Sequence, residues 1–293
     1  YKQRLYVANL TDTTDVNAPV KVAVSGFDTA GSPTPHNFGT ANGGGTFVVG
    51  SSGRNGDIRG IRVLNDQIII YTRKSVWKFS PGSGTVIDTG ALQEIQESVG
   101  LLAPFSLVDA GNFHIFLSDR GVFAFDGGSY THLSKDVDID LFESSNLAVL
   151  DRARGVFYKK LNQYRLYYAS TGSTRNDLCL IYDLRIKAWQ PPVTGRRVSV
   201  ASTFDTSSGD EELIIGDYAS YLYRDNINDN DGLAVGFNGI ATSGTYTTLT
   251  DSAVTSPFTT ANDGLAGLMI RIIDGTGDGQ ERVVASNTSA VIT

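Results

Sequence analysis

The sequence predicts an all-β protein whose main part is a β-propeller, wholly or partly covered by this chain, with a small further β module appended or inserted. Three observations lead there. Apolar and aromatic hairpins recur at a spacing in the high forties of residues. The 293 residues include 32 glycines, 13 tyrosines and 14 phenylalanines, which supply tight turns and aromatic strands. Charged residues make up only 19%, while the 41% hydrophobic content is ample for a continuous core in a chain of this length.

The repeat reads as an apolar strand, a short polar turn and a second apolar strand. It occurs at Ile70-Tyr71-Thr72 with Ser75-Val76-Trp77, at Phe116-Leu117-Ser118 with Gly121-Val122-Phe123, and at Ile215-Gly216-Asp217 with Ser220-Tyr221-Leu222. Thr72 and Ser118 are 46 residues apart and Ser118 and Asp217 are 99 apart, so one unit is missing between them. A hairpin of Tyr164–Tyr168 with Leu178–Tyr182, turning through Gly172, fills that gap. A period of roughly 40 to 50 residues with several strands each is that of propeller blades, since one small sheet cannot bury both faces alone. Four blades are read in this way, and Arg4–Val7 with Val20–Val24 supply part of a fifth. Tyr71 with Trp77, Phe116 with Phe123, and Tyr182 with Trp189 are expected at equivalent places on successive blades.

Residues 1–224 are therefore read as blades, with a long Gly/Ser/Thr/Pro-rich loop at 28–56 that contains Gly43-Gly44-Gly45. The polar run Asp225–Gly232 has no apolar period and opens a linker at 225–245. Residues 246–293 are read as the small β module, a hairpin of 268–273 and 281–285 around the glycine-rich tip 274–280. Because the sequence begins at Tyr1 and ends on a strand-like Ser289–Thr293, it is expected to be an internal piece whose module runs on beyond its last residue.

The net charge of −7 disfavours static binding to nucleic acid, because affinity for phosphate comes from clustered Lys and Arg. Cys179 is the only cysteine, which rules out an intramolecular disulfide, and its apolar neighbours predict a buried, inert thiol. No apolar run approaches a membrane span, and neither a secretion signal nor a membrane anchor is read.

Candidate chemistry is sparse, and no catalytic, cofactor-binding or metal-binding residues are assigned. Asp225–Gly232 fails the EF-hand pattern, with Ile227 at its first ligand position and Asn238 at its twelfth. Gly275–Gly279 lacks the Lys-Ser/Thr ending of a phosphate-binding loop. His36, His114 and His132 stand at no metal-ligand spacing and read as surface or packing residues. Trp77 and Trp189 each close a hairpin and read as core or interface residues. The pattern Asn-x-Thr/Ser at Asn9 and Asn287 carries no meaning without secretion. Asp136, Asp138 and Asp140 would share one face of a strand, where they either solubilise an outer edge or face an axial channel.

Arg4–Val7, then Ser118–Gly128, then Tyr182-Asp183-Leu184-Arg185-Ile186-Lys187-Ala188-Trp189 follow one another as in the tail hub or nozzle proteins of short-tailed bacteriophages, the packaged-DNA stabilisation and tail tubular B kinds, which this chain resembles over roughly residues 1–224. The hairpin around 275–280 is similar to small β modules of phage tail components. The resemblance implies a virion tail location and a homo-oligomeric ring, a hexamer, below the portal. It implies contacts with the portal adaptor, other tail proteins and tail fibres, transient passage of DNA, no cofactor and no enzymatic activity. A channel wall that lets a polyanion pass would be acidic or neutral, which makes Asp136, Asp138 and Asp140 the candidate channel-facing residues. The competing expectations are a carbohydrate-binding or carbohydrate-cleaving propeller of the depolymerase kind, drawn from the abundant Tyr, Phe and Asp, and a receptor-binding tail module, drawn from the exposed loops.

Overall fold

The computed structural model describes residues 4–10, 15, 17–26, 38–39, 43–81, 91–194, 197–207, 209–218, 222–225, 240–252, 258, 265, 269–272 and 280–293. The chain divides into two compact units, Tyr1–Gly232 and Leu233–Thr293, the division falling within the stretch read as a linker.

The first unit is built of five antiparallel sheets met one after another along the chain. Sheet 1 holds β1 (Tyr6–Ala8), β2 (Lys21–Val24) and β3 (Gly45–Val48). The short helix α1 (Ser52–Asn55) leads to sheet 2, made of β4 (Ile58–Leu64), β5 (Gln67–Thr72), β6 (Ser75–Ser80) and β7 (Ala91–Glu97). Sheet 3 has β8 (Val108–Asp109), β9 (His114–Ser118), β10 (Gly121–Phe125) and β11 (Tyr130–His132). Helix α2 (Asp138–Ser144) precedes sheet 4, with β12 (Arg154–Tyr158), β13 (Gln163–Tyr168), β14 (Leu178–Asp183) and β15 (Ala188–Thr194). Sheet 5 has β16 (Val198–Asp205), β17 (Glu211–Asp217) and β18 (Leu222–Asp225). Within every sheet the strands lie in chain order, the meander of a propeller blade.

Burial shows how the sheets stack. One hydrophobic cluster joins sheets 1 and 2 (Val22, Val24 with Ile68, Ile70, Phe79), and a second joins sheets 2 and 3 (Ile69, Tyr71 with Phe116, Phe125). A third joins sheets 3 and 4 (Ile115, Leu117 with Tyr164, Leu166, Tyr168), and a fourth joins sheets 4 and 5 (Val156, Tyr167 with Leu213, Ile215). A sheet with a neighbour on each side buries both of its faces. Hence β5, β9 and β13 are buried along almost their whole length, without period-two alternation of buried and exposed residues. Each such Leu or Ile removed from water contributes roughly 1.5–3 kcal/mol. The most extensive approaches between neighbouring sheets involve their first strands, β1 with β4, β8 with β12 and β12 with β16, so the stack converges on that side like a fan. These are the marks of a β-propeller, and the described residues supply five of its blades.

The second strands end at Val24, Thr72, Ser118, Tyr168 and Asp217, a repeat of 48, 46, 50 and 49 residues. The expected fifth blade is thus sheet 1, with Tyr6 opposite Val24. The equivalence of the aromatic pairs needs correction. Tyr71 and Phe116 both lie on second strands, but one position apart relative to the strand end. A one-residue offset reverses the face. They therefore point at each other, with ring centroids 5.1 Å apart, rather than repeat. Tyr182 and Trp189 face each other across β14 and β15, one strand further along their sheet than the other two pairs.

The stretch 28–56 is not wholly a loop: β3 pairs with β2, and Ser51 caps α1 by accepting from Arg54 N. Residues 28–37 and 40–42 of that stretch lie outside the described residues. In the second unit β19 (Ser243–Gly244) pairs with β20 (Leu249–Thr250), so the expected linker includes a strand. The expected hairpin appears as β21 (Met269–Arg271) with β22 (Glu281–Val283), and β23 (Val291–Ile292) joins β20. Residues 274–279 of its glycine-rich tip and the run 226–239 lie outside the described residues. Among the described residues no helix is long and apolar enough to cross a membrane.

Candidate functional site

Because the strands of each sheet alternate in direction, the turn between its second and third strands and the link that enters its first strand lie at the same end. That end gathers most of the polar side chains of interest. Between sheets 2 and 3 it forms an open cleft of about 190 Å³, lined by Arg54, Asn55, Lys74, Ser75, Glu94, Glu97, Ser98, Asp119 and Arg120. Asn55, buried in α1, organises the floor. Its Oδ1 accepts from Ser51 N at 3.0 Å, while its Nδ2 donates to Ser75 Oγ at 2.8 Å and to Glu94 Oε1 at 2.9 Å. Trp77 Nε1 donates to the same Ser75 hydroxyl at 2.8 Å. Arg54 pairs with Glu94 at 3.2 Å and also with Glu97, so both glutamates are engaged. Lys74 and Arg120 project from equivalent turns of sheets 2 and 3 and extend the cationic side of the cleft.

The sequence reading missed this cleft, although a signal was present. Thr72-Arg73-Lys74-Ser75 and Ser118-Asp119-Arg120-Gly121 are the same turn one repeat apart, and stacking places repeated turn residues side by side.

Asp136, Asp138 and Asp140 are not on a strand. Residues 135–137 form a turn and Asp138 begins α2, where successive residues are about 100° apart, so Asp138 and Asp140 leave opposite sides. The three carboxylates share no face. Asp138 pairs with His132 Nε2 at 2.9 Å and accepts from Ser134 Oγ, whereas Asp136 and Asp140 are exposed. Gly121, at φ +117°, leaves the space for this trio. A Cβ there would lie 2.3 Å from Asp138 Oδ1 and 2.5 Å from His132 Nε2. A serine, a histidine and an aspartate thus meet, but the carboxylate sits at the centre and the Ser134 hydroxyl also accepts from Val122 N at 2.7 Å. Ser134 is given no base to activate it, so the trio fastens the start of α2 to β10.

The converging first strands β1, β4, β8, β12 and β16 carry Arg59, Arg62, Arg154, Asp109 and Asp205, close to charge balance. Arg59 pairs with Asp57 at 2.8 Å.

Of the other singled-out residues, His114 is fully buried, with its Nδ1 2.8 Å from Tyr71 Oη at the interface of sheets 2 and 3. Burial lowers its pKa and raises that of Tyr71. His36 lies outside the described residues. Cys179, expected to be buried, is half-buried, because it faces the margin of the cluster between sheets 4 and 5. Trp77 and Trp189 are half-buried hairpin residues, and Trp189 Nε1 donates to Leu133 O at 2.7 Å. Asp183 accepts from Arg185 Nη2 at 2.6 Å, and this partner holds its carboxyl well below the usual range. Among the described residues no group of three or more His, Cys, Asp or Glu could hold a metal ion.

No family model and no curated protein matches the sequence. Among solved structures the chain is similar to the N-terminal domain of Nup159, at 12% identity and TM-score 0.34, covering 68% of this chain and 48% of that one. It is also similar to AofleA from Arthrobotrys oligospora, at 11% identity and TM-score 0.37, covering 80% of this chain and 69% of that one. The chain spans about half the length of the Nup159 chain. At these scores neither likeness carries an argument about fold or function.

Proposed function

We propose that the chain is a structural subunit of a bacteriophage tail, one member of a homo-oligomeric ring below the portal and its adaptor that continues or closes the DNA channel. The observation that supports this reading is the fan of five sheets. Four successive apolar cores lock the sheets together, and conspicuous polar groups such as Arg54, Asp138 and Asp183 are spent on fastening links and turns. Such a body is a rigid scaffold whose turns are free to make contacts. Near charge balance on the converging strands adds no strong attraction for a passing polyanion. The test is electron imaging of virions labelled with an antibody to this chain, together with the mass of the purified protein. Label on the tail axis and a closed oligomer are expected; unlabelled particles and a monomer at high concentration would overturn the reading.

The cleft between sheets 2 and 3 favours a second reading, binding of an acidic sugar. Lys74 and Arg120 would face its carboxylate, and Glu94 and Glu97 its hydroxyls. Titration with glucuronic acid, monitored by calorimetry on the native chain and on Arg120→Ala, decides it. Binding that the substitution abolishes supports the reading, and absence of binding by the native chain removes it.

A further inference from the structure

Two exposed apolar features, at the ends of sheets 3, 4 and 5, carry opposite charge. The first is a run of arginines and aromatic rings. Arg154, the first residue of β12, lays its guanidinium 3.7 Å from the centre of the Phe105 ring, and Arg175 lies over the Tyr218 ring at 5.3 Å. The two pairs are joined, because Asn176 N donates to Tyr218 Oη at 3.3 Å and Asn176 Nδ2 to Arg152 O at 3.2 Å. Yet Phe105 is 61% exposed, Tyr218 41%, and Leu147 on the adjoining link 65%. Arginine, tyrosine and phenylalanine held rigidly in the open are the composition of an interface centre rather than of a solvated surface.

The second feature is α2. Leu141 packs inward, which leaves Ile139 73% exposed between the exposed carboxylates of Asp136, Asp140 and Glu143, with Lys135 the one cation beside them. It is an apolar tip ringed by negative charge, whereas the arginine–aromatic run is an apolar surface ringed by positive charge, with Asp151 its exposed exception.

We infer that α2 of one copy of this chain docks on the Phe105–Arg154–Tyr218–Arg175 surface of a second copy. The inference rests on the ring reading and names the contact through which the ring is held. A polyanion fits the surface less well, because the chain carries a net charge of −7. Complementary features on one chain allow every copy to give and receive the same contact.

The experiment is sedimentation analysis of the purified chain and of two charge-reversed forms, Arg154→Glu with Arg175→Glu, and Asp140→Lys with Glu143→Lys. Each form alone should associate about tenfold more weakly or less, as loss of a central interface residue does, and their equimolar mixture should associate again. Ile139→Asp, an exposed change that leaves the fold intact, should weaken association by itself. Tryptophan fluorescence melting checks that each form is folded. An oligomer indifferent to all three substitutions overturns this contact while leaving the ring reading standing. A native chain that stays monomeric overturns both. Binding of single-stranded DNA by the native chain that is lost on reversing the arginines also overturns it.

Discussion

Gly155 lies on β12 where sheets 3 and 4 converge, and replacing it with alanine probes that convergence directly. A Cβ at this position would stand 2.5 Å from Ser106 O, 3.0 Å from Ser106 C and 2.9 Å from Tyr164 Oη, whereas ordinary contact begins at 3.4 Å. The link carrying Ser106 and the strand must separate by about 0.9 Å, and both are backbone, so no flexible side chain absorbs the change. The same carbonyl accepts the Tyr164 hydroxyl at 3.1 Å, a bond the methyl group displaces. Overpacking costs about 1–3 kcal/mol and the hydrogen bond about 1, so Gly155→Ala should destabilise the first unit by roughly 2–4 kcal/mol. At about 2–4 °C per kcal/mol for a unit of this size, the melting temperature should fall by about 4–16 °C. Tryptophan fluorescence is the assay, because Trp77 and Trp189 are the chain's two tryptophans and both lie in Tyr1–Gly232. Gly53, within α1, has nothing within 4 Å of an added Cβ, so Gly53→Ala is the matched control and should leave stability unchanged or raise it by up to about 1 kcal/mol. Equal melting temperatures for Gly155→Ala and the native chain would show that sheets 3 and 4 do not approach as described.

Phe116, fully buried against Tyr71 and Phe123, should cost about 3–5 kcal/mol when replaced by alanine, read as a shift of the urea midpoint. Asn55→Ala strips the cleft floor of three hydrogen bonds and should cost about 1–3 kcal/mol, with Asn55→Asp no rescue because a carboxylate cannot donate to Glu94. Burial holds His114 below its ordinary 6.5, so the unfolded chain takes up a proton where the folded one does not. Its contribution is therefore complete above pH 6.5 and declines as pH falls below that value, by up to about 1.4 kcal/mol per unit. Urea titrations from about pH 7.5 down to about 5.5 should show that decline, and His114→Gln should flatten it; an unchanged slope in the variant would assign the pH dependence to other groups.

Repetition made the blades legible in the sequence. A hairpin that recurs every 46 to 50 residues leaves a count of units and a period before any contact is known, and Ile68-Ile69-Ile70-Tyr71 announces burial by its own composition. The five second strands, the β13–β14 pairing and the hairpin of the second unit follow from such local facts, because strand propensity and turn chemistry act over a few residues. Which face a residue takes was not decided locally. Tyr71 and Phe116 differ by one position in their strands, and only the packing of sheet 2 on sheet 3 turned them toward one another. Asp136, Asp138 and Asp140 alternate with apolar residues as a strand would, but Ser134 and His132 capture Asp138 and let Leu141 and Phe142 pack inward as a helix. The cleft of Arg54, Lys74, Glu94 and Arg120 draws on residues up to 66 positions apart, and the Arg154–Phe105 pair spans 49. Such distances along the chain are closed by the stacking of sheets, a long-range burial of apolar surface that no short stretch of sequence encodes by itself.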